Sequence, residues 1–367
     1  LTNLFANIIS GHQTDKPSKK KPIFPVNARL REYLARYGRE VLLPVSYQDL
    51  QRFTYTVPIK DAMGNDTAWE KVSYDLKEWK FLRENLVRIY AILKTKGDMR
   101  FIDHLDVASI DFCYFGNSQP FRIRIINKFN ENYDHYYIKQ ADASRIYGLE
   151  LEHLLSPNRM SYFTHFSTLI EEHVPGIPGD IFIKDYLNAP NTNQIRLAKE
   201  FVKFNERCFI HLLGDMRAYN FIVNITPDIM NVQYRIRAID FDQQSYEGRK
   251  NLYLPQFFKE NKPFVDIVLK HLNQESIEQY QAEERTMMTF RLASSRYRMK
   301  EIVDIMINDT ISKPEKIEQL KQELGAHYGT DAFDKAKTMG QLVKIQMKQL
   351  LGTSLKLVPK MKKHFDD

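Results

Sequence analysis

Between residues 193 and 242 the chain runs through a defined order of segments. Residues 193–213 place Ile195, Leu197, Phe201, Val202, Phe204, Phe209, Leu212 and Leu213 at helical spacing among charged side chains, which predicts an amphipathic helix. A polar loop follows, Gly214-Asp215-Met216-Arg217-Ala218-Tyr219-Asn220. Phe221–Ile225 and Tyr234–Ile239 then alternate as short strands, with Thr226-Pro227-Asp228 as turn material between them. The second run ends in another acidic loop, Ile239-Asp240-Phe241-Asp242. The order is helix, loop, hairpin, loop.

Either loop alone is ordinary, since a loop Asp commonly caps a helix or closes an Asx turn. Together they are not. An Asp, an Asn five positions on and a second Asp ending a later apolar run are the ligand types that metal-assisted phosphoryl transfer needs. Mg²⁺ takes only one or two carboxylates beside a nucleotide's phosphates, so an Asp with an Asn suits it. The segment resembles the catalytic and metal loops of the protein-kinase-like superfamily. Its nearest pattern is the aminoglycoside and choline phosphotransferase branch, H-G-D-x-x-x-x-N followed by I-D-F/W-D/E. Leu213 stands where that branch usually has His, with His211 two positions earlier. The resemblance implies Asp215 as catalytic base and Arg217 as a cation facing the transferred phosphate. It implies Asn220 and Asp240 as metal ligands, and Asp242 beside them in place of the Gly of protein kinases.

The same resemblance implies a small sheet upstream, carrying a phosphate-binding Lys, and a helix carrying its Glu partner. Three β-like runs fit it: Ser109–Phe115, Phe121–Ile126 and Tyr133–Ile138, the last ending at Lys139. A helix follows from Ser144 as cap through Leu155, with Ile146, Leu149, Leu151 and Leu154 on one broad face. Glu150 projects near the middle of that face, and a buried carboxylate requires a cationic partner. Lys139 is therefore paired with Glu150, with Glu152 as the alternative. Gly116 in Gly116-Asn117-Ser118 supplies the one glycine of a phosphate-covering loop, though one glycine in a hairpin is also plain turn chemistry. Leu169–Gly176 resembles an interlobe hinge, in which backbone groups from Glu172 to Val174 would meet an adenine edge.

Residues 23–100 read as an N-terminal extension packed on the small lobe, with helices near Asn27–Tyr37 and Leu76–Thr95 and a β-like stretch at Thr54–Ile59. Residues 1–22 read as a flexible tail, 101–174 as the small nucleotide-binding lobe and 175–367 as the helical catalytic and substrate lobe. Helices are expected over Phe257–Leu272, Ser276–Met306, Pro314–Leu324 and Thr338–Leu351. Arg291, Arg296, Tyr297 and Arg298 either line a groove for an anionic acceptor or form a solvated helical face.

Two cysteines, Cys113 and Cys208, exclude a disulfide scaffold and a zinc cluster and favour a reducing, cytoplasmic setting. No apolar run is long enough to span a bilayer, and Leu1–Ile9 lacks the basic region and apolar length of a signal peptide. A net charge of +7 attracts phosphorylated or other anionic partners. Zinc-finger spacing, an RNA-recognition signature and a recognition helix are all missing, which argues against nucleic acid.

The expectation is an α+β, two-lobed kinase-like fold, with a small antiparallel-sheet lobe and a larger mostly helical lobe. It would bind ATP and Mg²⁺ and move a γ-phosphoryl group to the hydroxyl of a small-molecule or carbohydrate acceptor. The alternative is a pseudokinase-like nucleotide-binding or scaffold protein without productive transfer, which Leu213 and the glycine-poor loop favour.

Overall fold

The computed structural model describes residues 21–61, 64–114, 116–228 and 232–355. The expected tail over 1–22 lies almost wholly outside the described residues. The chain divides into two compact bodies. One is built from Pro22–Ala143 and Met160–Val174, the other from Ser144–Arg159 and the chain from Pro175 onward, joined by Lys21.

The first body contains α1 (Ala28–Arg36), α2 (Tyr47–Leu50), β1 (Tyr55–Lys60), β2 (Asp66–Ser73), α3 (Leu76–Thr95), β3 (Leu105–Phe112), β4 (Phe121–Asn127) and β5 (Tyr133–Gln140). After α4 (Ala143–Leu155), which belongs to the second body, β6 (Tyr162–His165) and β7 (Thr168–Glu172) complete it. All seven strands form one antiparallel sheet in the order β1-β2-β3-β4-β5-β7-β6. The N-terminal extension therefore does more than pack on a small lobe: its hairpin continues the sheet. Sequence reading missed β2 because Asp66, Glu70 and Lys71 interrupt its apolar alternation.

Helix α3 forms where the pattern puts it. Asp75 caps its first turn by accepting from the Glu78 amide at 2.8 Å, and Lys96 ends it in a left-handed conformation. Leu82, Leu86, Ile89 and Leu93 pack on Ile110, Ile123, Ile125, Tyr136 and Ile138 of the sheet. Each such aliphatic side chain stabilises the body by about 1.5–3 kcal/mol. The buried Tyr136 hydroxyl is satisfied by the Leu86 carbonyl at 2.9 Å. Strand alternation sends Phe121, Ile123 and Ile125 of β4 into this core and turns Arg122 and Arg124 to the opposite face.

The second body contains α4, β8 (Ile177–Pro178), α5 (Gly179–Asp185), α6 (Gln194–Ile210), β9 (Phe221–Pro227) and β10 (Val232–Ala238), with β10-β9-β8 as a small sheet. It continues with α7 (Lys262–His271), α8 (Gln274–Ser294), α9 (Arg296–Ile307), α10 (Pro314–Tyr328) and α11 (Met339–Leu355). The helix expected over Ser276–Met306 is two helices, broken at Ser295. The helix expected from Phe257 begins at Lys262, with a proline in its first turn. Cys208 is buried in α6, and Cys113 lies half-buried just past β3. Among the described residues no helix is long and apolar enough to cross a membrane.

Candidate functional site

The 193–213 pattern becomes α6, capped by Asn193, whose side chain accepts from the Arg196 amide at 3.1 Å. Its end is pinned by Leu213 N–H on the Cys208 carbonyl at 2.9 Å and by a bridge between Leu213 and Gln244. The turn then runs so close to the neighbouring loop that a Cβ on Gly214 would lie 2.9 Å from the Gln243 carbonyl oxygen. Glycine is required there by space. Asp215 follows at φ 57°, a left-handed conformation unfavourable for a side chain, and its N–H donates to the Leu252 carbonyl at 3.0 Å.

Three expected site residues meet in this loop. Arg217 Nε donates to Asp215 Oδ1 at 2.8 Å, and Asn220 Nδ2 donates to the Asp215 carbonyl at 2.7 Å. Burial pushes the Asp215 carboxyl up to about 6, against the pull of Arg217 and with help from Asp240 and Glu260. Arg217 is shared: its Nη1 lies 2.6 Å from Glu260, and the guanidinium stacks over Phe258 at 4.8 Å. Two carboxylates therefore hold this guanidinium in place.

The acidic loop after β10 carries a feature the sequence did not announce. Arg145, in the first turn of α4 and with no exposed surface, places Nη1 2.7 Å from Asp240 Oδ1 and 2.6 Å from Asp242 Oδ1. Asp240 Oδ1 also accepts the Asp242 amide at 3.1 Å. Ser144, expected as the helix cap, instead donates its hydroxyl to the Gln244 carbonyl at 2.7 Å. Gly148 allows the helix to lie against the same loop, since a Cβ there would be 3.1 Å from the Phe241 Cβ.

This arrangement gives the acidic loop an internal cation. Mg²⁺ requires near-octahedral oxygen ligands at about 2.0–2.1 Å. Here one oxygen of each candidate carboxylate already accepts from a buried, permanently charged guanidinium, which repels a second cation placed between them. Among the described residues no group of three His, Cys, Asp or Glu side chains could hold a metal ion.

The pairing expected for Lys139 is corrected. Its ammonium lies 2.8 Å from Glu171 Oε2, with both side chains nearly buried. The reason is register: Lys139 stands opposite Leu169 on β7, so Glu171, two positions on, is its diagonal neighbour on the same face. Glu150, which has no exposed surface, takes Arg298 at 2.7 Å. This commits one member of the Arg/Tyr cluster to the protein interior, while Arg291 donates to the His153 carbonyl at 3.2 Å. Glu152, the alternative partner, lies 3.3 Å from His211 Nε2 and 4.0 Å from Arg207 Nε. Burial pushes its carboxyl up, but His211 and Arg207 outweigh that and leave it below its ordinary value.

At the expected hinge, the Glu172 amide donates to the Ser161 carbonyl at 3.0 Å and its carboxylate accepts the Ser161 amide at 2.6 Å. That N–H is therefore committed to β6–β7 pairing and not to an adenine edge. Val174 is buried. Gly116 sits in a turn closed by the Gln119 amide on its carbonyl at 3.0 Å. Sequence reading missed Arg145, Glu171 and Glu260, and named Arg298 only within the Arg/Tyr cluster and without its Glu150 partner. Of these only Glu171 had a usable signal, a charged residue on a strand beside the one bearing Lys139.

No family model and no curated protein matches the chain. Among solved structures there is weak similarity to the Neurospora crassa PAN3 pseudokinase, at 12% identity over 77% of this chain and 72% of that chain, with a TM-score of 0.20. A mutant of the same pseudokinase is similar at 11% identity over 93% of this chain and 74% of that chain, also with a TM-score of 0.20.

Proposed function

We propose that the chain is a kinase-like scaffold without productive phosphoryl transfer, whose task is to bind a nucleotide or a partner. One observation carries this reading: the Arg145 guanidinium joins Asp240 to Asp242, so the loop that would hold Mg²⁺ carries its own cation. Three arrangements support it. Lys139 is paired with Glu171, Glu150 with Arg298, and the Glu172 amide with Ser161. The kinase-like part of the reading rests on the order of elements. A three-strand run, a helix and two more strands precede α6, its loop, the hairpin β9–β10 and the acidic loop.

A second reading, transfer of a phosphoryl group from ATP to a small-molecule or carbohydrate hydroxyl, is favoured by Asp215. A carboxyl pushed up to about 6 is near the range of a general base, and Arg217 and Asn220 hold it in place. Thermal unfolding with millimolar ATP, with and without Mg²⁺, separates the two on wild type and Asp240→Ala. A ligand at a hundredfold excess over its dissociation constant adds about 2.7 kcal/mol, well within detection. The scaffold reading expects any ATP response to be the same with and without Mg²⁺. A Mg²⁺-dependent rise that Asp240→Ala abolishes, together with ATP turnover lost in Asp215→Ala, would establish the transferase instead.

A further inference from the structure

The face of the seven-stranded sheet turned away from α3 carries an unusual concentration of cationic and imidazole groups. Register sets Arg124 of β4 directly across from His135 of β5, and Arg122 across from Tyr137. His173, one residue past β7, completes the group: its ring lies 5.7 Å from that of His135, and its Nδ1 is 3.2 Å from the Tyr137 hydroxyl.

The charges on this face are unequally matched. Arg122 has a carboxylate, Asp111, at 2.9 Å, and stacks on Trp69 at 4.5 Å. Lys139 has Glu171. Arg124 lies over the Tyr133 ring at 4.0 Å, and its Nε is buried without a hydrogen-bond partner. A guanidinium NH shielded from water and left unbonded is costly. Asp134, next in the chain to His135, is held by Lys94 at 2.9 Å and by the Tyr90 hydroxyl at 3.0 Å. Burial, and then Arg122, His173 and Arg124, depress the His135 imidazole to about 4, although Asp134 pulls the other way. Burial likewise depresses His173, with Lys94 and Arg122 adding to it and Asp134 opposing. Burial comes first in both shifts, and the Arg122 and Arg124 charges that add to it at His135 favour an anion.

We infer that Arg124, His135 and His173 form a binding site for an oxyanion, the phosphate or carboxylate group of a small ligand, with the Tyr133 ring at its edge. Arg124 supplies a fork of donors matched to paired oxygens, and each neutral imidazole supplies one N–H. The site uses none of Asp215, Asp240 or Asp242, so it stands whether or not the chain transfers phosphate.

The test titrates the full chain with inorganic phosphate and, separately, with acetate at constant ionic strength against chloride, following thermal unfolding and the ring resonances of His135. A saturable rise in midpoint with at least one of the two anions is expected, with at least tenfold weaker apparent affinity in Arg124→Gln. Arg83→Gln, on α3, is expected to bind as wild type does. In wild type the bound anion is also expected to raise the His135 pKa, a reading that survives if Arg124→Gln fails to fold. No saturable effect beyond chloride, or undiminished affinity in Arg124→Gln, overturns the site. So does a His135 pKa unmoved by the anion that shifts the midpoint.

Discussion

Arg298 reaches Glu150 with Nη2 at 2.7 Å and Nε at 3.2 Å from the same carboxylate oxygen, joining α9 to the middle of α4. The carboxylate has no exposed surface, so removing Arg298 leaves a buried charge without its guanidinium. Arg298→Ala is expected to cost about 3–5 kcal/mol, read as a lower urea midpoint. Glu150→Leu with Arg298→Met should recover most of that loss. A double variant no better than the single would mean the pair is not the source of the effect.

Arg145→Gln tests the internal cation. Without the guanidinium, Asp240 and Asp242 lose the charge that joins them, and the variant should be about 3–5 kcal/mol less stable in metal-free buffer. Adding Mg²⁺ or Mn²⁺ should then restore part of the loss, while wild type should not respond. Equal responses in the two proteins would show that Arg145 does not exclude the ion.

Gly214→Ala places a methyl 2.9 Å from the Gln243 carbonyl oxygen and 3.3 Å from the Tyr253 ring. Both neighbours are buried, so the loop has little room to yield. A loss of about 1–3 kcal/mol is expected from overpacking. The carboxyl pKa of Asp215, followed by NMR, should also move, because the next residue's backbone shifts with the loop.

Acid should destabilise this protein through two half-buried imidazoles. His135 and His327 are both depressed from 6.5 to about 4 in the folded chain, in each case by burial first, with Lys250 adding to it at His327. The unfolded chain binds these protons near 6.5, the folded chain only near 4. Stability contributed by the neutral rings is therefore complete above pH 6.5 and is lost as the pH falls from 6.5 towards 4. The unfolding midpoint should drop across that window, and His327→Gln should flatten the drop. An unchanged slope in the variant would remove His327 from the account.

Local pattern was readable and distant pairing was not. Helix α3 occupies the expected Leu76–Thr95, because one apolar stripe and an Asp cap specify it without reference to anything else. Strands β4 and β5 begin at the expected Phe121 and Tyr133 for the same reason. The gathering of Asp215, Arg217 and Asn220 was legible because six consecutive residues contain all three. Ion pairs were another matter. A carboxylate on an apolar helix face says that a cation is needed, and Lys139 was the nearest one in sequence, but Glu150 found Arg298 on α9. Arg145 gave no local sign of its partners, which lie 95 and 97 positions later.

The division of the chain bears on how it is made. Helix α4 is laid down between two stretches of the sheet body but finds its ionic partners in Asp240, Asp242 and Arg298, and its Tyr147 hydroxyl bonds Asp309 at 2.7 Å. On the ribosome, those partners emerge long after the helix does. Until then Arg145 and Glu150 are exposed charges on a segment whose apolar face has nothing to cover it. Closing such long loops is slow, and unfinished chains with uncovered apolar surface associate with one another. A cut at residue 174 would yield the sheet body with an orphaned helix, and a start at 175 would yield a helical body missing one. Neither half is a natural expression boundary, and the chain's maturation waits on its last third.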